Sequence, residues 1–167
     1  MELFIVFVAD WLVMFLAASA AASLLWYVPH RQKIATYSRM LVAGLTSYMT
    51  AKFMALAYQP STMRPFEIMG LEPGASYLDN PGFPSDHTLF VWVIVFAVWY
   101  GTRKPWLVLV LGVAAFLVSV GRVIALVHAP IDIIGGFTAA AIGALWYVHG
   151  VKFGRDLKNL AKKSKVV

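Results

Sequence analysis

Cysteine is absent from the 167 residues, and charge is scarce: Asp, Glu, Lys and Arg together make up 13% of the chain. The first absence excludes a disulfide framework and any thiolate metal site, without fixing a compartment. The second excludes a soluble globule of this size, in which about a quarter of the residues are charged. An internal repeat of solenoid period and a low-complexity linker are also missing, so residues 1–167 read as a single domain. Acidic residues are the rarer sign, 8 against 14 basic, for a formal charge of +6. Such an excess can mark a nucleic-acid partner. Here the basic residues are placed as in a membrane protein, and no nucleic acid is expected.

What the chain does contain is apolar surface, with 60% hydrophobic residues and a mean hydropathy of +0.74. Runs near the roughly 20 residues needed to cross about 30 Å of hydrocarbon fall at 3–28, 37–58, 87–101, 105–127 and 130–150, the third being the shortest. They predict an all-α polytopic bundle of about five transmembrane helices. Small residues at four-residue spacing, Ala17/Ala21, Gly135/Ala139/Gly143 and Gly136/Ala140/Ala144, are candidates for close helix approach in lipid. The first run carries Glu2 and Asp10 but no basic residue, and it is too long for the core of a cleaved leader, so it reads as a span.

Five crossings alternate sides. Arg31, Lys33, Arg39, Arg103 and Lys104 then share one side with Lys152, Arg155, Lys158, Lys162, Lys163 and Lys165 of the tail. The positive-inside bias makes that side cytoplasmic and the N-terminus external, in a cell membrane. His30 and His149 lie toward the cytoplasmic ends as bystanders. Only Lys52, Arg64 and Arg122 fall on the opposite side, where Ser85 and His87 begin the third helix and His128 and Asp132 the fifth. Ionisable groups at such depth are costly and tend to face a bundle interior where they serve a site.

Three cations against one carboxylate call for an anion with several oxygens. A phosphate or diphosphate fits the planar fork of arginine and the point charge of lysine. In the stretch Pro84-Ser85-Asp86-His87, serine is suited to cap the third helix, whose first free N–H groups then favour an anion, and its hydroxyl could also donate to the ligand. The i, i+4 spacing of His128 and Asp132 places both on one face of the fifth helix. There the carboxylate can hold one ring nitrogen protonated and leave the other free as a nucleophile. His87 has no such orienting carboxylate and suits a general acid.

In this order Lys52 with Arg64-Pro65, then Pro84-Ser85-Asp86-His87, then Arg122, His128 and Asp132 resemble the three motifs of the type-2 phosphatidic acid phosphatase superfamily, K-x6-R-P, P-S-G-H and S-R-x5-H-x3-D. They span residues 52–132. The resemblance implies a metal-independent, cofactor-free phosphatase acting on membrane lipid. His128 would form a phosphohistidine, Asp132 would orient it and His87 would serve as acid. Lys52, Arg64, Ser85 and Arg122 would hold the phosphate, with Asp86 in the same motif.

Three positions depart from the family pattern. Eleven residues separate Lys52 from Arg64 instead of six, Gly121 stands where the family has serine, and Asp86 stands where it has glycine. The PSDH variant and Arg64-Pro65-Phe66 look like the bacitracin-resistance type of undecaprenyl-diphosphate phosphatase. That likeness implies an extracytoplasmic site recycling a cell-wall carrier lipid. A phosphatidylglycerophosphate or phosphatidate phosphatase, a lipid phosphotransferase and a small lipid transporter or scramblase are the alternatives. The loop 59–84 is either a lid or a connector, and Asp10 either pairs with Lys52 or acts on the site through its charge.

Overall fold

The computed structural model describes residues 2–163, with side-chain surroundings for residues 3–148. All regular structure among these residues is helical. Helix α1, Leu3–Tyr27, contains one π turn at Phe7–Trp11. A 3-10 turn, His30–Gln32, leads into α2, Lys33–Ala57. The short α3, Pro65–Met69, lies within the loop, and α4 (Asp86–Thr102), α5 (Pro105–Ile124) and α6 (Pro130–Lys163) follow.

Local chemistry sets these bounds. Val28 is extended, as expected for a residue before proline, and closes α1. Pro65, Pro105 and Pro130 each occupy the first position of a helix, where a missing N–H leaves no bond unmade. Arg103 takes a left-handed conformation (φ 54°) and ends α4.

Among the described residues four helices are long and apolar enough to cross a membrane: Leu3–Tyr27, His30–Ala57, Pro105–Ile124 and Pro130–Val148. The fifth, α4, has 17 residues, about 25 Å at 1.5 Å per residue, and so falls short of a full span. Its position explains how it tolerates this. α4 packs against α1, α2, α5 and α6, and a helix surrounded by protein can be apolar on every face. One side of α4, Val91, Val95 and Val98, forms a core with Val13, Leu16 and Ala20 of α1 and Leu107, Leu111, Ala115 and Val118 of α5. On another side Leu89 meets Ala51, Ala139 and Ala140. Large apolar side chains such as Met14, Leu109 and Phe116 point outward, as a lipid-facing surface requires.

The five helices match the five apolar runs, with shifted ends. α2 begins at Lys33, before the run at 37, and α5 stops at Ile124 because Leu126 turns left-handed (φ 59°). Of the small-residue stripes, those on α6 pack: Ala139 and Ala140 are buried, and Ser47 of α2 donates to Ala140 O at 3.5 Å. The pair on α1 does not. Ala21 is exposed, and the packed residues of that helix are Val13, Leu16 and Ala20. The side chains of Lys152, Arg155, Lys158, Lys162 and Lys163, and all of Lys165, lie outside the described residues.

Gly136 sets the approach of α6 to the N-terminus of α4. A Cβ there would lie 2.6 Å from Ser85 O and 3.0 Å from Leu89 N, both backbone atoms. Gly136→Ala is therefore expected to push the helices apart and destabilise the protein by about 1–3 kcal/mol. Thermal unfolding in detergent measures this, and an unchanged melting temperature would contradict the packing.

Candidate active site

The site forms where the C-terminal ends of α2 and α5 meet the N-terminal ends of α4 and α6. Two irregular segments complete it, and backbone hydrogen bonds join them. Phe66 N–H donates to Leu126 O and Gly74 N–H to Ala125 O, each at 3.0 Å, which stitches the loop 59–84 to the α5–α6 turn. Phe66 packs with Ala9, Ala75, Ala125 and Val127. Glu67 Oε2 accepts the Arg64 N–H at 2.5 Å and so starts α3.

A cavity of about 220 Å³ opens between these elements, lined by Arg64, Asp86, His87, Arg122 and His128 with Ser76, Tyr77, Leu78, Asn80, Gly82 and Pro84. The loop is thus a wall of the cavity and not a plain connector. Five residues singled out in the sequence line one space: Arg64, Asp86, His87, Arg122 and His128.

His128 does not lie on α6. It belongs to the turn before Pro130, where the N–H groups of Val127 and His128 both donate to Arg122 O at 3.3 Å. The pairing with Asp132 forms nonetheless, with Nδ1 3.2 Å from Oδ2. The Ala129 N–H donates to the same oxygen at 2.9 Å. A carboxylate can only accept, so Nδ1 carries the proton and Nε2 keeps its lone pair. Asp132 O accepts the Ser85 N–H at 3.0 Å, which ties the α6 turn to the cap of α4. Burial pushes the His128 imidazole below its ordinary value. The hydrogen bond to Asp132 opposes that shift, and the charges of Arg122 and Arg64 reinforce it.

Both arginines are buried, Arg64 at 4% and Arg122 at 1% exposure. The Arg64 fork donates from Nη1 to Val127 O and from Nη2 to Leu78 O and Asn80 Oδ1, the latter two at 2.8 Å. Burial lowers its pKa, while Asp132 and Glu67 act in the opposite direction. Arg122 donates from Nη1 to Asp10 Oδ1 and from Nη2 to Ser76 O, each at 2.6 Å. In both, Nε has no partner among the described residues. An unpaired buried donor costs roughly 1–3 kcal/mol, and an incoming oxyanion would relieve that cost.

Three expected residues stand outside the cavity: Asp132, which holds His128 from behind, Lys52 and Ser85. Lys52 lines an adjoining recess with Ala55, Gln59, Pro81 and Phe83, which shares Asn80, Gly82, Pro84 and Asp86 with the cavity. Its Nζ lies 4.0 Å from Asp86 Oδ1, with both side chains nearly half exposed. A pair so exposed contributes about 0–1 kcal/mol. Ser85 is fully buried, and its Oγ accepts the Thr88 N–H at 3.4 Å. It caps α4 and does not reach the cavity.

One residue of the site, Asn80, escaped the sequence reading, and the partner of another, Asp10, did as well. Asn80 holds Arg64 and also accepts the Gly82 N–H at 3.0 Å, and nothing in a polar loop singles it out. Asp10 pairs with Arg122 and not with Lys52. An acid in an apolar helix was a visible signal, but its partner lies 112 positions away. Among the described residues no group of three His, Asp or Glu side chains is placed to hold a metal ion.

A family model described as the PAP2 superfamily matches residues 36–155, well over half of the chain. The chain belongs to this superfamily. Its membership, with the apolar helices, supports a membrane lipid phosphatase. The bacitracin transport permease protein BcrC of Bacillus licheniformis is 28% identical over 166 residues, covering 94% of this chain and 76% of its own length. No solved structure matches significantly. The matched PAP2 segment runs from α2 into α6 and leaves out α1, which supplies Asp10.

Removing the Asn80 side chain would leave Nη2 of Arg64 held by the Leu78 carbonyl alone. Asn80→Ala is expected to lower kcat/KM roughly tenfold through misplacement of a cavity cation, with little change in melting temperature because Asn80 is exposed. Steady-state kinetics on a lipid phosphate alongside thermal unfolding checks the pair of outcomes.

Proposed function

We propose that this protein hydrolyses the terminal phosphate of a polyprenyl diphosphate, of the undecaprenyl type, at the extracytoplasmic face of the cell membrane. The observation that carries the phosphatase reading is the cavity lined together by two buried arginines, Arg64 and Arg122, and by His87 and His128. The polyprenyl diphosphate rests on the PSDH and RPF stretches and on the likeness to BcrC. The external face rests on the charge asymmetry between helix ends.

The reaction has two steps. Nε2 of His128 attacks the terminal phosphorus in line, and the bond from phosphorus to the bridging oxygen breaks. The electron pair leaves on the lipid phosphate, which takes a proton from His87. Arg64 and Arg122 stabilise the charge on the equatorial oxygens. Water then gives a proton to His87 and attacks the phosphohistidine, releasing inorganic phosphate and neutral His128. Asp132 holds the His128 tautomer throughout, and Ser85 keeps the start of α4 in place. Lys52, beside Asp86 at the neighbouring recess, is close enough to meet the lipid-proximal phosphate.

The word permease in the name of BcrC favours a second reading, that of a transporter. Transport needs no phosphohistidine. His128→Ala should abolish release of inorganic phosphate from purified protein given radiolabelled undecaprenyl diphosphate, phosphatidylglycerophosphate or phosphatidate, and a chelator should leave the wild type active. Retained turnover in the alanine variant would remove His128 as nucleophile. Retained transport without any phosphate release would favour the second reading.

The lowered pKa of His128 makes a further prediction. A histidine shifted down stays neutral, and so nucleophilic, as pH falls through about 6.5, its ordinary value. The acid limb of kcat/KM, which reports the free enzyme, is expected below that value, and a profile with its acid limb above it would contradict a desolvated nucleophile.

A further inference from the structure

Asp10 presents a puzzle for an anion site: a carboxylate in contact with one of its two buried arginines. Its Oδ1 accepts from Arg122 Nη1 at 2.6 Å, and its Oδ2 accepts the Ser76 N–H of the loop at 3.0 Å. One carboxylate thereby joins α1, the cavity-lining loop and the last turn of α5. Arg122 closes the triangle by donating from Nη2 to Ser76 O.

Two features of the chain bring Asp10 there. It lies in the π turn Phe7–Trp11, and such wide turns recur at functional sites. The neighbouring residues of α1 also leave little room at Gly121. A Cβ on Gly121, the residue before Arg122, would stand 3.0 Å from Val8 Cγ1 and 3.4 Å from Ala9 N. The resemblance described above places a serine at this position in the family. Here the glycine gives up that hydroxyl and admits the π turn against α5.

We propose that Asp10 is a positioning residue of the phosphate clamp, fixing the Arg122 guanidinium and the loop at Ser76 so that the N–H groups not used in these bonds are held for an oxyanion. The carboxylate takes one hydrogen of Nη1 and the Ser76 carbonyl one of Nη2, which leaves the second hydrogen of each and Nε–H. This role rests on the phosphatase reading, and α1 supplies it from outside the segment matched by the family model.

The test is a double-mutant cycle with Asp10→Asn, Asp10→Ala and Arg122→Ala, read in two ways. One reading is kcat and KM on undecaprenyl diphosphate. The other is the rise in melting temperature produced by orthovanadate, a phosphate mimic. Asp10→Ala is expected to lose roughly tenfold to a hundredfold in kcat with a smaller change in KM. Asp10→Asn, which keeps an acceptor oxygen, should lose several-fold less. In the Arg122→Ala background neither change at Asp10 should cost anything further.

Losses that multiply across the cycle, or both Asp10 variants within twofold of wild type, would overturn the proposal. If Asp10→Ala does not fold, the near-isosteric Asp10→Asn carries the cycle. If the wild type turns over no lipid phosphate, the phosphatase reading falls, and the orthovanadate cycle decides the positioning role by the same criterion.

Discussion

Two guanidinium groups are buried at one end of a bundle that is otherwise almost wholly apolar, and the architecture around them follows from the need to satisfy them. Arg64 is held by the carbonyls of Val127 and Leu78 and by Asn80, and Arg122 by Asp10 and the carbonyl of Ser76. Most of these acceptors are main-chain oxygens in irregular segments. A loop of 26 residues with little regular structure can persist against a helical bundle because its carbonyls have charged donors to meet. Incomplete satisfaction is equally informative: the orphaned Nε atoms are where the protein has left attraction for something it does not itself provide.

The central helix has a complementary duty. α4 carries Asp86 and His87 in its first turn, and its N-terminus is fixed by the Ser85 cap, by the Ser85 N–H bond to Asp132 O and by the close approach of Gly136. Four neighbours pack along it, so the histidine at its tip is placed by the core of the whole bundle. The third apolar run is the shortest in the sequence, and the helix it forms is packed by four others.

Much of this was legible from residue types and spacing. Apolar runs located five helices, and charge asymmetry directed attention to Arg64, His87, Arg122 and His128, which share one cavity. The i, i+4 argument found the His128–Asp132 pair, although a turn makes the contact and not a helix face, because Pro130 begins α6 two residues later than the spacing assumed. Ser85 and Lys52 mark the limit of such reasoning. A serine before a helix can cap it or contact a ligand, and burial decided for the cap. A lysine five residues upstream of the family position lies on another face of α2, where its neighbours are Tyr48 and Asp86. Asn80 and the partner of Asp10 were out of reach because both depend on a contact that only folding brings about.

The stitching between the loop and the α5–α6 turn constrains how the molecule can move. Phe66 and Gly74 are bonded to Leu126 and Ala125, two or three positions from His128. The wall and the turn that carries His128 are therefore joined, and lifting the wall would strain the bonds beside the imidazole. On the other flank the Lys52 side chain is half exposed, and it can change its orientation without breaking any of these bonds. Freedom of movement in this protein is thus unevenly shared, with the backbone around the imidazole tightly bonded and the neighbouring lysine loosely held.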